Sequence, residues 1–567
     1  MKLLRKYVYA FALLWTVCMA VHGAEELPVV DMTADRITIY PQRMELNGTE
    51  TLWDILQMYP DMLTNAFESW LEGYSIRIDN GPYGGDMRML LTKLPASRVM
   101  MVQISDNPGV AKATTGMNGV VDVFLLPMEK GSHGTISGEI STNLTATPFV
   151  EYRLGSASTD MLVNASYNYR HEKPYPKHQQ YSNFHMTNQL GKADQLVTYF
   201  TQSYELQRNY LDTSRVDNGF FNSQLRHYHD FSDGTNLMTA IVYAHMYAPQ
   251  RRFSLNDGHV ISFMSSDWQG TVAAAQEVNR SFSFVNMKDV KSRLNLMAGW
   301  EVDYGMGLQR EEDKESQLAR RTLNYRVMNA DAYFELAYEY KQWRFAFGDR
   351  VMYYRYRVDV PVGDRTHNDW RNMVHMSAIF SPNQEHHIQV GFFRKFYNPS
   401  YMGLFREAKG MTDEEWALAE NNITETQLNE VKLGYSFARK NFSVGLNAYY
   451  YNVVKLYDFF QMDASAYYHH PWFSLSGGVH FYHSSAETYA TFRVVPCVFL
   501  PYEMQLKGQV VVYTKTAPGR LANGSHPVYA ALRYDKQLGR YVDLYVMWHD
   551  IFNGSAGIGL LGVQVNL

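Results

Sequence analysis

From Gly134 to the C-terminus, apolar and polar residues alternate with a period of two. Asn441–Asn452, "NFSVGLNAYYYN", puts Phe442, Val444, Leu446, Ala448 and Tyr450 on one face. Asn441, Ser443, Gly445, Asn447 and Tyr449 fall on the other. "RYVDLYVMWHD" repeats the pattern, with Val542, Leu544, Val546 and Trp548 against Asp543, Tyr545 and His549. Such alternation predicts strands with one apolar and one polar face. About 22 of them can be counted after Gly134. In a soluble sandwich the apolar face would be the core; in an outer-membrane barrel it would be the outside.

The connections separate these two architectures. Tight ones are expected at 155–160, 190–194, 231–235, 290–292, 340–343, 381–385, 438–441, 469–472, 500–503 and 538–540. Between them lie longer ones at 171–180, 208–218, 249–270, 308–322, 359–370, 397–426 and 514–527. Short turns on one side and longer loops on the other are the habit of outer-membrane barrels. A pair of secreted sandwich domains predicts no such alternation. The expected fold is mainly β: a transmembrane antiparallel barrel over residues 134–567.

The front of the chain is different. "YSIRIDNGPYGGDMRMLLTKLPASRVMMVQI", Tyr74 to Ile104, mixes short strands, Asn-Gly-Pro turn chemistry and a helical stretch. The composition changes near "LPMEKGSHG", Leu126 to Gly134, so residues 47–130 read as a small α/β domain. A wide barrel is normally plugged, and this domain is the expected plug. Upstream, Lys2, Arg5 and Lys6 precede an apolar stretch, Val8–Val21, and Val21-His22-Gly23 offers a cleavage site. Residues 1–23 therefore read as a signal peptide, and 24–46 as a flexible segment. With Cys18 removed, Cys497 is the one cysteine left and no internal disulfide is expected.

Composition adds little chemistry. Tyr occurs 42 times and aromatics make up 14%, which suits strands and membrane interfaces. A formal charge of −5 over 567 residues gives no reason to expect nucleic acid. No other stretch has eighteen consecutive apolar residues, so no membrane-spanning helix is expected. His227 and His229 share a strand face, and His386-His387 and His469-His470 are adjacent, but metal sites need more convergent ligands. Neither a metal nor any other cofactor is expected. No H-E-x-x-H, G-x-S-x-G or phosphate-loop motif occurs. No catalytic residue is assigned, and the chain is not expected to be an enzyme. A rim hydrolase assembled from separate strands is a lesser alternative.

Several segments, taken in order, resemble the TonB-dependent outer-membrane receptor family. "ETLWDILQMYPDM" resembles the segment that opens its plug. "YSIRIDNGP" is similar to its strand and turn, in Ile76, Ile78, Asp79, Gly81 and Pro82. "LPASRVMMVQISDNPGVAKATTGMNGVVDVFL" resembles the following run, in Leu94, Pro95, Ile104, Pro108, Gly116, Gly119, Val120, Val121 and Val123. "RKFYNPSYMGLF", "LPYEMQLKGQVVVYT" and the closing "GIGLLGVQVNL" are similar to its barrel. Three departures stand out: eleven residues, Leu63–Gly73, where the family has a longer stretch; Gln103 where it has Glu; and an expected mature N-terminus with no folded extension and only "LPVVDMTA" as TonB box. Leu567 also stands where a terminal aromatic is usual.

The resemblance implies a 22-stranded barrel in the outer membrane with a shortened plug, importing a specific ligand. Its implied partners are a TonB-type energy-transducing protein, outer-membrane lipid and a surface lipoprotein. The candidate TonB contact is Leu27, Pro28, Val29, Val30, Asp31 and Met32, within "LPVVDMTA". The plug motif is Arg77, Asp79, Gly81, Pro82, Gly116 and Gly119. Tyr397, Tyr401 and Trp416, in the longest loop, are the candidate ligand contacts. The shortened plug also supports an alternative, a passive pore or a structural barrel subunit of a surface complex.

Overall fold

The computed structural model describes residues 29–566 apart from 58–73, 398–425, 515–527 and other stretches of at most seven residues. The signal-peptide reading and Leu27, Pro28, Gly116, Tyr401 and Trp416 lie outside the described residues.

Twenty-two antiparallel strands, from β7 (Gly131–Ser141) to β28 (Ile558–Asn566), close into a barrel. The last strand pairs with the first, from Leu560 opposite Ser141 to Asn566 opposite Thr135. The alternation decides which face meets lipid. Val546, Trp548, Tyr450, Val431 and Leu433 point outward and are exposed, whereas Asp543, His549, Ser443 and Tyr449 are buried on the lumen side. Rings mark both margins of the apolar band. Trp343, Trp472, Tyr502 and Tyr541 stand exposed at the tight turns, and Tyr204, Trp370 and Tyr450 nearer the opposite end. Closure satisfies every ladder hydrogen bond within the protein, and an aromatic-girdled apolar exterior is what lipid requires. The chain is a membrane-spanning barrel.

Every second connection is tight, as expected: two residues separate Tyr340 from Trp343, and His470 from Phe473. Two of the longer connections need correction. The stretch 249–270 is strand: β13 (Thr235–Asn256) and β14 (His259–Val285) pair continuously up to Asn256 opposite His259. Asp257-Gly258, between the two strands in sequence, lies outside the described residues; it is a dipeptide suited to a two-residue hairpin turn. Likewise 359–370 belongs mostly to β17 (Trp343–Val360) and β18 (Gly363–Phe380). Strands β13 to β15 (Lys291–Asp313) run 22, 27 and 23 residues. About ten residues cross the lipid, so the remainder stands beyond it on the longer-loop side.

Inside lies a six-stranded mixed sheet, ordered β1-β2-β5-β6-β3-β4. Its strands are β1 (Val30–Met32), β2 (Ile37–Ile39), β3 (Tyr74–Ile78), β4 (Gly81–Pro82), β5 (Val99–Ser105) and β6 (Gly119–Leu125). A helix, Leu52–Gln57, buries Leu52, Ile55 and Leu56 in the same core as Val102, Ile104, Val121 and Val123. The plug therefore begins well before residue 47. Val30–Met32 and Ile37–Ile39 are sheet strands where a flexible segment was expected. The reason is their apolar content: Val30, Met32 and Ile39 are almost wholly buried.

Candidate functional site in the barrel lumen

The described residues of the candidate plug motif lie in or beside the sheet. Arg77 on β3 pairs with Asp122 on β6 (3.3 Å), and Lys112 Nζ donates to the same carboxylate at 2.6 Å. Asp79 has a left-handed backbone, φ 46, and its Oδ1 accepts from the Leu125 backbone N–H at 3.0 Å. Burial pushes the Asp79 carboxyl up, against that hydrogen bond and the charges of Arg226 and Arg98. Gly81 and Pro82 form β4, opposite Ile78 and Arg77.

Among the described residues, three polar contacts between plug and barrel stand out. At the first, Ser443 Oγ on β21 (Phe442–Val453) donates to the Val30 carbonyl at 2.6 Å. A Cβ on neighbouring Gly445 would lie 3.3 Å from Met32 Sδ. Of the candidate TonB contact, Val29, Val30 and Met32 are thus buried and Asp31 half-buried. At the second, Arg350 Nη1 donates to the Val110 carbonyl at 3.3 Å, and Gly109, φ +80, lies against the Glu335 carboxylate. This glycine serves a close backbone approach.

The third contact is ionic and buried. Thr51 caps the helix: its backbone N–H donates to Asp54 Oδ2 at 2.8 Å, and Asp54 N–H returns to Thr51 Oγ1 at 3.4 Å. The other Asp54 oxygen accepts from Arg533 Nη1 at 2.8 Å. Arg533 Nε also donates to both oxygens of Asp535, at 2.9 and 3.1 Å. Beside it, Lys507 Nζ donates to Glu50 Oε1 at 2.9 Å. One aspartate therefore caps the plug helix and fastens it to β26 (Val528–Leu538).

Burial pushes the Asp54 carboxyl up, but Arg533, Lys507 and the Thr51 hydrogen bonds outweigh it and hold the group below its ordinary 3.8. A depressed folded-state value contributes stability above the unfolded value, lost as pH falls through the folded one. Protease resistance of the plug should therefore stay flat from about pH 8 to about pH 5 and weaken only in stronger acid. Weakening between neutrality and about pH 6 would assign this contact to other groups.

On the lumen wall, Tyr451, Phe459, Tyr482 and Tyr489 form a row across β21 to β24 (Thr488–Leu500). Tyr451 stacks on Phe459 at 4.4 Å and Tyr482 on Tyr489 at 4.9 Å. The ring faces meet each other. Sequence reasoning missed this row and looked to the longest loop, where the described part of Tyr397 is the end of β19 (His386–Tyr397), opposite Thr426. The signal was there in part, as alternate aromatics on two neighbouring strands, Tyr449 and Tyr451, then Tyr457 and Phe459. The histidines take ordinary partners: His227 and His229 share Asp194, at 3.1 and 2.7 Å, and His386 meets the Tyr435 hydroxyl at 3.0 Å. Cys497 is buried and free.

No family profile and no curated protein matches this sequence. Solved structures do match. The alcaligin outer-membrane receptor FauA of Bordetella pertussis superimposes with a TM-score of 0.69 at 10% identity, over 95% of both chains. The ferripyoverdine receptor of the Pseudomonas aeruginosa outer membrane gives 0.70 at 8% identity, over 95% of this chain and 87% of that one. The copper transporter OprC gives 0.69 at 11%, over 96% and 99%. At such identities the likeness establishes the fold: a plug within a barrel, as in solved outer-membrane receptors.

Proposed function

We propose that this chain is a TonB-dependent outer-membrane receptor that imports a specific ligand, energised from the inner membrane. The observation that carries the reading is β1. It holds Val30, Asp31 and Met32 of the candidate TonB contact and, among the described residues, forms the edge of the plug sheet, where it pairs with β2. Barrel strand β21 holds it by the Ser443 hydrogen bond. An edge strand offers backbone groups to an added strand, and β-augmentation depends on main-chain bonds more than on side chains. Pulling β1 outward would load β2 and then β5, to which it is laddered from Ile37 opposite Ile104 to Ile39 opposite Val102. Tyr397, at the end of β19, with Tyr401 and Trp416 beyond it in sequence, remain our proposed first ligand contacts, and a surface lipoprotein the proposed cover.

The test uses living cells. A photo-crosslinking residue at Asp31 is expected to give a covalent adduct with the TonB-type protein, absent from cells that lack that protein although the barrel still folds. No adduct, with the protein folded in the outer membrane, would sink the reading and favour a passive barrel.

A further inference from the structure

On three strands of the lumen wall, amide side chains recur four residues apart: Asn164 and Asn168, Gln179 and Asn183, Asn218 and Asn222. Four apart on a strand means the same face. The strands are β9 (Thr159–Arg170), β10 (Lys177–Gln189) and β12 (Arg215–Asp230), with β11 (Asp194–Arg208) between the last two. Register turns the pairs into two rows. Asn183 stands opposite Asn164, and Gln179 opposite Asn168. Across β11 the lower row continues through Thr201 to Asn222, and the upper through Glu205 to Asn218.

These amides are short of partners. Asn168 and Asn222 are 7% and 5% exposed, yet the side-chain carbonyl oxygens of both, and those of Asn164 and Asn218, accept no hydrogen bond. Their known bonds run along the wall: Asn168 Nδ2 donates to Gln179 Oε1 at 3.4 Å and Gln179 Nε2 to Glu205 Oε2 at 2.8 Å. Lys177 pairs with Glu205 at 3.0 Å, so the upper row carries no net charge.

We infer that this wall is the contact surface for a neutral oligosaccharide; the inference rests on the receptor reading above. Buried acceptors call for donors, and an amide offers both a donor and an acceptor to the same neighbour. A sugar hydroxyl answers both. The rows repeat with strand spacing, about 4.8 Å, close to one ring of an extended glycan and unlike the roughly 3.4 Å rise of an extended peptide. A charged chelate would lose its hydration against a row whose ions neutralise each other. The upper row lies toward the longer loops and would meet the ligand first. The more deeply buried lower row would meet it in passage.

The full-length protein, purified in detergent, would be probed on an array of neutral glycans, with ferric catecholate chelates and peptides as comparators. Retained glycans would then be titrated as free oligosaccharides. The expected result is retention of at least one neutral glycan and neither comparator. Asn168→Leu and Asn218→Leu should each weaken that binding at least tenfold, with unchanged heat-modifiable migration. No neutral glycan retained by the folded protein would overturn the inference. So would affinities unchanged in both variants, the outcome expected if water alone serves these amides. Binding by the purified chain needs no energy coupling, so it can fail while the Asp31 adduct forms, and the reverse.

Discussion

Arg533→Met should free the plug from one wall of the barrel and make it sensitive to protease while the barrel stays folded. Arg533 serves two carboxylates at once, Asp54 of the plug at 2.8 Å and Asp535 of the barrel at 2.9 Å. Methionine keeps most of the volume and removes the charge, leaving two buried anions with only Lys507, already paired with Glu50, as a cation beside them. Breaking a buried ion pair from one side commonly costs about 3–5 kcal/mol, mostly because the remaining charge is stranded. The Asp54 link to Thr51 carries the loss into the helix cap. The double variant Arg533→Met, Asp54→Leu removes the stranded plug carboxylate and should recover part of the resistance. Equal resistance in wild type and the single variant would show that the other two contacts alone seat the plug.

Gly119→Val should unfold the plug sheet without preventing barrel assembly. Gly119 opens β6, opposite Tyr74 of β3. A Cβ there would sit 2.6 Å from the Tyr74 ring and 2.7 Å from the Ser105 carbonyl oxygen. The ring can turn aside; the backbone oxygen cannot move without breaking the β5–β6 pairing around Ser105 opposite Val120. Overpacking of this kind costs about 1–3 kcal/mol, and a backbone clash at a central strand belongs at the upper end. Rapid proteolysis of the plug beside an intact, heat-modifiable barrel is the expected pattern. A protease-resistant plug in the variant would mean that the sheet can open at this point.

Much of the barrel was legible because its signals are local. Period-two alternation names the faces, and the contrast of short and long connections names the sides. The stretch 249–270 reads as a loop in the sequence and is strand on both sides of Asp257-Gly258, although that dipeptide's turn chemistry was in view. Strand length there is set by pairing with neighbours, which alternation does not measure. The β1–β2 hairpin was hidden for another reason: three-residue strands carry too few positions to show a period. The seam was not legible at all. Asp54 and Arg533 lie 479 residues apart, and nothing near either predicts the other. The amide rows fall between these cases, since the four-residue spacing is visible in the sequence but the alignment of the strands comes from register.

Conductance across a planar bilayer tests the central claim most directly, that a folded plug seals a wide barrel. The intact protein should insert and stay nearly closed, whereas the chain lacking residues 24–130 should open large, long-lived channels. An intact protein that conducts as freely as the deletion would contradict the account and make this barrel a passive pore.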